Sequence, residues 1–378
     1  MLKTEDIKTI SIYDLLPHHP EIQYFKCHDQ QFFNYKPFSL SIFPDLQPYH
    51  GLWAETFVTI IPNGQVYSHH GFIRYNDCVI TEFFSQVGPI QAHIDYAHKE
   101  KPQKSPVIIH GKVAVITRIF ANSYSHWTYD ILGRLALLDI ANIDYDWLYV
   151  PYHLSFMKEM LTAWGVDPKK IIIPYDQTSY VQADQLIVPS IPYRRLHIPN
   201  THFYEDSGLA SYFTPWLIEF LRNKFLPLIS NKTNSFSKKI FISRQKAGIR
   251  KIVNENEIFE LFKPFGFVRY NLEELSFLEQ VLLFKNATAI VAAHGAGLTN
   301  LIFCDKKTTM VEIFQERSDL TYFYLAQTLQ LNYHYIATCT FKYVLGHQDT
   351  IINPSLIQNF ITTHSYLFKK DNTCSFDI

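Results

Sequence analysis

Hydrophobic and polar positions change rhythm along the chain, and each change marks an element. From about residue 51 to 84, β-branched and aromatic residues alternate with polar ones, with turn residues at Pro62-Asn63-Gly64 and Asn76-Asp77. A period of two predicts antiparallel strands or hairpins there. KVAVITRIF (112–120) reads as a strand, and after a polar turn ILGRLALLDIA (131–141) has the Leu and Ile spacing of a helix. WLYVP (147–151), KKIIIP (169–174) and DQLIVPS (184–190) are short apolar runs closed by proline, suited to buried parallel strands, with a helix at about 153–164. Residues 192–206 lack periodicity and predict a loop, 209–228 predict a helix, and the polar stretch 229–239 predicts an exposed connection.

The last third has the clearest rhythm. Strands at 238–244, 267–271, 289–295, 309–314 and 333–339 alternate with helices at 254–265, 276–286, 295–303 and 320–330. This alternation predicts right-handed crossovers and a parallel, doubly wound sheet that holds ligands at the carboxyl ends of its strands. A final helix is expected from Pro354 to Lys370, packing back on the body.

Composition narrows the class. The 378 residues are 47% hydrophobic and 16% aromatic, with 34 basic and 35 acidic side chains. That describes a folded protein of two domains or one large α/β body, and excludes disorder. Balanced charge excludes a general nucleic-acid binder, which carries a basic excess. Five scattered cysteines without paired spacing predict a reducing compartment. With neither a signal-peptide pattern nor a long apolar run, the expected location is cytoplasmic, with peripheral membrane contact left open. The sequons at Asn231 and Asn286 are then chance matches.

Candidate chemistry concentrates in a few segments. Ala292-Ala293-His294-Gly295-Ala296-Gly297-Leu298-Thr299-Asn300 ends a strand and opens a helix. Small residues let backbone N–H groups approach a phosphate there; tight strand–helix packing is the alternative use of the glycines. Ser243-Arg244-Gln245-Lys246-Ala247-Gly248-Ile249-Arg250-Lys251 lies at the carboxyl end of the domain's first strand, where Arg244 and Arg250 could clamp a diphosphate or belong to a solvated basic loop. Glu312, at a strand end, could accept from ribose hydroxyls or be an ordinary strand-end acid. Asn254-Glu255 reads as a helix cap with a first-turn acid, and Glu279-Gln280 as a mid-helix pair facing the glycine turn. His126 and Asp130, four apart, would share a helix face, suiting a general base and its orienting carboxylate or a buried hydrogen-bond network. Asp144-Tyr145-Asp146 reads as a turn, and no histidine spacing indicates a metal site.

In that order, Asn122-x-x-x-His126-Trp127-x-x-Asp130, Ser243-Arg244 with Arg250 and Asn254-Glu255, Glu279-Gln280, His294-Gly295-Ala296-Gly297-Leu298-Thr299-Asn300 and Val311-Glu312 resemble glycosyltransferase family 61, formerly the DUF563 domain. The resemblance covers about residues 50 to 340. It implies a GT-B architecture, with two Rossmann-like domains facing a cleft. The division is then a β-rich extension over 1–105, an acceptor-side domain over 106–230, a donor-binding domain over 231–345 and a returning helix over 346–378. It also implies an inverting enzyme that takes a UDP-sugar and a glycan or glycoconjugate acceptor, without a metal or other cofactor. His126 and Asp130 would be catalytic. Arg244, Arg250, His294, Gly295, Ala296, Gly297, Thr299, Asn300 and Glu312 would bind the donor. Many eukaryotic members carry a membrane anchor that this sequence does not show, which points to a bacterial-type enzyme. Two other readings stay open: a nucleotide-cofactor oxidoreductase, although Asn300 stands where the third glycine of G-x-G-x-x-G would be, and a non-catalytic nucleotide- or glycan-binding protein.

Overall fold

The alternating runs between 56 and 80 and the apolar runs between 107 and 189 join one sheet in the computed structural model, which describes residues 7–35, 49–84, 90–196, 213–315, 320–338 and 349–368, while Tyr49–Trp53 pairs with Gln31–Tyr35 and Arg195–Leu196 in a separate sheet. In its parallel half, Val107–Val115 lies between Tyr180–Pro189 and Trp147–Tyr149, with Ile171–Ile172 beyond. In its antiparallel half, Thr56–Pro62 and Gln65–Tyr67 both pair with Tyr180–Pro189, and the sheet continues through Phe72–Tyr75 to Cys78–Ile80. The β-rich extension is therefore continuous with the sheet that follows it. Buried Phe57, Val113, Val115, Tyr149, Leu186 and Val188 pack together in the core of this mixed α/β unit.

Three local departures from the sequence pattern have physical causes. Pro62-Asn63-Gly64 does not turn the chain but kinks it. Asn63 adopts a left-handed φ of 55° and donates its N–H to the Asp184 carbonyl at 3.1 Å, while Gly64 accepts from the Ala183 N–H at 3.1 Å. A Cβ on Gly64 would lie 2.8 Å from Leu186 Cβ, so this interruption requires glycine. The strand expected at 112–120 runs instead from Val107 to Val115, because Thr117 and Arg118 are drawn into hydrogen bonds off the sheet. The helix after it comes in pieces: Tyr124–His126 and Leu132–Ala141 are joined by a π-helical turn over Trp127–Ile131, in which the Leu132 N–H donates to the Trp127 carbonyl. Asn76-Asp77 does close a hairpin, and Ser68–Gly71 forms the loop of another.

The second compact unit begins at Phe225. Its five strands among the described residues, all parallel, are ordered Val268–Tyr270, Lys239–Ile242, Ala289–Ala293, Thr309–Phe314, Asn332–Ala337. The direction of winding reverses between Lys239–Ile242 and Ala289–Ala293. Beyond the carboxyl ends of such a pair is where doubly wound sheets bind ligands. Helices Glu255–Phe262, Phe277–Asn286 and Thr321–Leu329 connect the strands, but residues 296–303 form a 3-10 helix in place of the expected α-helix. Pro354–Thr363 and Ser365–Phe368 pack Ile357, Ile361 and Phe368 into a core with Phe241, Val291 and Val311. The expected loop at 192–206 includes the short strand Arg195–Leu196, paired with Tyr49–Trp53; its remainder at 197–206, the start of the helix at 209–212 and residues 369–370 lie outside the described residues, and the helix itself runs Pro215–Phe225. Among the described residues no helix is long and apolar enough to cross a membrane.

Candidate functional site

The strand Lys239–Ile242 delivers Ser243 and Arg244 to the switch point, and Glu255 fixes them there. This buried carboxylate accepts from Ser243 Oγ at 2.5 Å and from the Arg244 backbone N–H at 2.7 Å. Glu255 thus reaches back from its helix to hold the turn. Its neighbour Asn254 makes no side-chain cap; it bonds instead to the backbone of Ile352 through both its amide nitrogen and its oxygen.

The Arg244 side chain then folds over the glycine turn. Its Nε donates to the Arg250 carbonyl at 3.0 Å and its Nη2 to the Ile249 carbonyl at 2.9 Å. A Cβ on Gly295 would lie 1.8 Å from Arg244 Nη1. Gly295 has φ 171°, extended backbone open to any residue, so glycine is needed for the guanidinium and not for the backbone. Burial pushes the Arg244 pKa down, and no carboxylate pairs with it among the described residues. Its hydrogen bonds among the described residues go to backbone carbonyls. Arg250 adopts a left-handed φ of 57° in the same loop, while Lys246 is paired with Glu274.

Behind the turn the side chains form a buried network. His294 Nδ1 lies 2.6 Å from Glu312 Oε1, and Tyr333 donates to Glu312 Oε2 at 2.7 Å. Glu312 is fully buried with both oxygens engaged, and burial beside it raises the Tyr333 pKa well above its ordinary value. Asn300 Nδ2 donates to Gln280 Oε1 at 2.9 Å and to the Gly297 carbonyl at 3.2 Å, and Thr299 is buried beside it. Gln280 therefore supports the glycine turn from beneath. Glu279 sits in the first turn of its helix, not mid-helix, where it closes a capping box with Ser276. Gly297 packs against Leu272, and Ala296 and Gly297 remain partly exposed at the start of the 3-10 helix, where the leading N–H groups have no intrahelical partner.

In the first unit the π-helical turn brings His126 and Asp130 together, with Nδ1 and Oδ2 3.0 Å apart. The Tyr129 hydroxyl is also 3.0 Å from His126 Nδ1. Fully buried Asp130 receives a second bond from Arg118, which also donates to the Tyr193 hydroxyl. Burial opposes the Arg118 charge, but Asp130 and Tyr193 hold its pKa above the ordinary value. Arg134, bonded to the carbonyls of Thr117 and Phe83, is pulled down to about 10 by burial and by the neighbouring Arg118. Arg118 and Tyr193 escaped the sequence reading, although a lone cation at the end of the apolar run KVAVITRIF was a usable signal. Asp144-Tyr145-Asp146 lies before the amino end of Trp147–Tyr149, with Asp146 Oδ2 accepting from the Lys112 N–H at 2.8 Å.

The described residues thus bring together a cation and a glycine turn at the switch point of a parallel sheet, and a His–Asp–Arg network in a second α/β unit. Residues 124–311 match the family model described as Glycosyltransferase 61. The chain is a glycosyltransferase and belongs to that family. It is similar to the EGF domain-specific O-linked N-acetylglucosamine transferases of Canis lupus familiaris, 29% identical over 100 residues, and of Mus musculus, 28% identical over 122 residues. These matches cover 25% and 30% of this chain and 19% and 23% of the relatives, so the similarity spans about a fifth of their length.

Proposed function

We propose that this glycosyltransferase inverts configuration as it moves a sugar from UDP to a hydroxyl of a glycan or glycoconjugate, with no metal on the phosphates. The observation that carries the reading is the Arg244 guanidinium, lying over Gly295 at the switch point with no acidic partner among the described residues. In this reading Arg244, Arg250 and the amides at Gly295, Ala296 and Gly297 receive the diphosphate and stabilise the charge that develops as the sugar C–O bond breaks. Cations do the work that a divalent ion does elsewhere. Thr299 and Asn300 shape the turn, and Glu312 orients His294 in place of holding the ribose, since both its oxygens are engaged.

The acceptor hydroxyl attacks the anomeric carbon on the face opposite UDP, and His126 takes its proton. Asp130, accepting from His126 Nδ1, leaves the basic lone pair on Nε2. The proposal includes a GT-B architecture with the donor held by the C-terminal unit. N-acetylglucosamine, named in the matched relatives, makes UDP-N-acetylglucosamine the first donor to screen.

The test is UDP release by mass spectrometry with donor and acceptor present, and calorimetric UDP binding to Arg244→Ala. The reading expects transfer that survives EDTA, a β-to-α or α-to-β change at the anomeric centre by NMR, and weakened UDP binding. Retained UDP affinity in Arg244→Ala overturns the clamp. Activity lost to EDTA and restored by manganese overturns the metal-free donor site.

A further inference from the structure

We propose that His69, His70 and Glu100 form a binding site for one divalent ion of the zinc class, on residues other than those assigned to transfer. The three side chains each offer a ligand atom, and these atoms all lie within 4.8 Å of one another. His70 Nδ1 is 3.3 Å from Glu100 Oε2 yet makes no hydrogen bond there, so the pair is close without being aligned on each other. That separation is the edge of a coordination tetrahedron: bonds of about 2.0–2.1 Å to zinc put neighbouring ligand atoms about 3.3 Å apart. The third ligand, His69, is exposed, and its ring centre is 4.0 Å from that of His70.

The backbone on both sides is already set. His69 and His70 occupy the Ser68–Gly71 hairpin loop, in which Ser68 has a left-handed φ of 65° and Gly71 one of 72°. A Cβ on Gly71 would lie 2.7 Å from the Thr117 carbonyl, and the Thr117 hydroxyl donates to the His69 carbonyl at 2.6 Å. Glu100 follows the helix Ile90–Lys99, which the buried Tyr67 hydroxyl ties down by donating to the Ala97 carbonyl at 3.0 Å. Ser68 Oγ donates to Glu100 Oε2, orienting the carboxylate as an outer hydrogen bond orients a metal ligand.

Two imidazoles and one carboxylate select a borderline ion over calcium or magnesium, which prefer oxygen ligands. With three protein ligands the fourth position falls to water. A bound ion would cross-link the hairpin loop to the helix end, next to the segment that carries Thr117 and Arg118.

The experiment titrates the full chain, stripped with chelator and dialysed, with zinc by calorimetry and with cobalt by visible absorption. One saturable equivalent is expected, with the intense cobalt bands of a tetrahedral site. Affinity should fall at least about tenfold in Glu100→Gln and in His69→Ala. His69 is exposed, so its variant keeps the fold, which circular dichroism checks. Absence of a one-equivalent phase overturns the site, as does wild-type affinity in both variants, which would assign binding to other histidines. Either failure leaves the transferase reading standing, because that rests on UDP binding at Arg244.

Discussion

Gly295→Ala separates the role of the glycine turn from that of its backbone. The new Cβ would stand 1.8 Å from Arg244 Nη1 and 2.9 Å from Cζ, while the extended φ of 171° suits alanine without strain. The guanidinium must therefore swing away, giving up its bonds to the Ile249 and Arg250 carbonyls. At a net value of about 1 kcal/mol each, the folded state loses about 2 kcal/mol. Two charge-assisted bonds from the displaced guanidinium to a diphosphate are worth about 1.5–3 kcal/mol each. Their loss, about 3 kcal/mol at the low end, weakens UDP binding about 100-fold. Arg244→Ala should cost about the same. In that background Gly295→Ala meets no obstacle, so its further effect should stay below about threefold, a strong coupling in a double-mutant cycle. Calorimetric UDP titrations of the four proteins supply the numbers. Wild-type UDP affinity in Gly295→Ala, or losses that simply add, would refute the reasoning.

His126→Ala should abolish transfer while UDP affinity stays within about twofold, because the side chain acts on the proton and not on the phosphates; parallel loss of UDP binding would count against the assignment. Arg118→Met leaves buried Asp130 without its counter-charge and should destabilise the protein by about 3–5 kcal/mol in urea melts; a loss below 1 kcal/mol would show the pair to be dispensable. Ser276→Ala removes a capping-box partner and should cost about 1 kcal/mol. Hydrogen bonds from the Ser276 hydroxyl and amide hold Glu279 below its ordinary 4.5. A depressed carboxylate stabilises above its unfolded pKa, so the wild-type advantage should be full at neutral pH and fade as pH falls below 4.5. An advantage that grows in acid would contradict this.

The second sheet was legible because its three inner strands, Lys239–Ile242, Ala289–Ala293 and Thr309–Phe314, are apolar runs, with helical spacing between. Its candidate site was only half legible. Arg244 and the glycine turn could each be flagged, but their contact depends on strand order, which puts Lys239–Ile242 beside Ala289–Ala293. Local spacing does not encode that neighbour. Glu255 looked like an acid serving its helix dipole, and only the packed structure shows it bonded to Ser243 and Arg244. Glu312 likewise read as an open strand-end acid until Tyr333 arrived from the next strand. The Gly-Ala-Gly turn marks the start of a helix without telling an i+3 from an i+4 ladder, hence the unexpected 3-10 helix. His126 and Asp130 were the converse case: both lie on one short segment, so spacing was enough.

The π-helical turn at Trp127–Ile131 has a consequence for descent. A wide turn is a helix carrying one surplus residue, so removing a single codon there would restore a regular ladder into Leu132–Ala141. Deleting Ile131 would turn the segment ahead of it by about 100°, keeping His126 and Asp130 together at their spacing of four but swinging both away from Arg118, which bonds Asp130. The buried pairing of Arg118 with Asp130 and the regularity of the helix thus pull in opposite directions at this point. A one-residue deletion at this turn in a homologue would therefore mark a lineage in which the buried pair with Arg118 is lost.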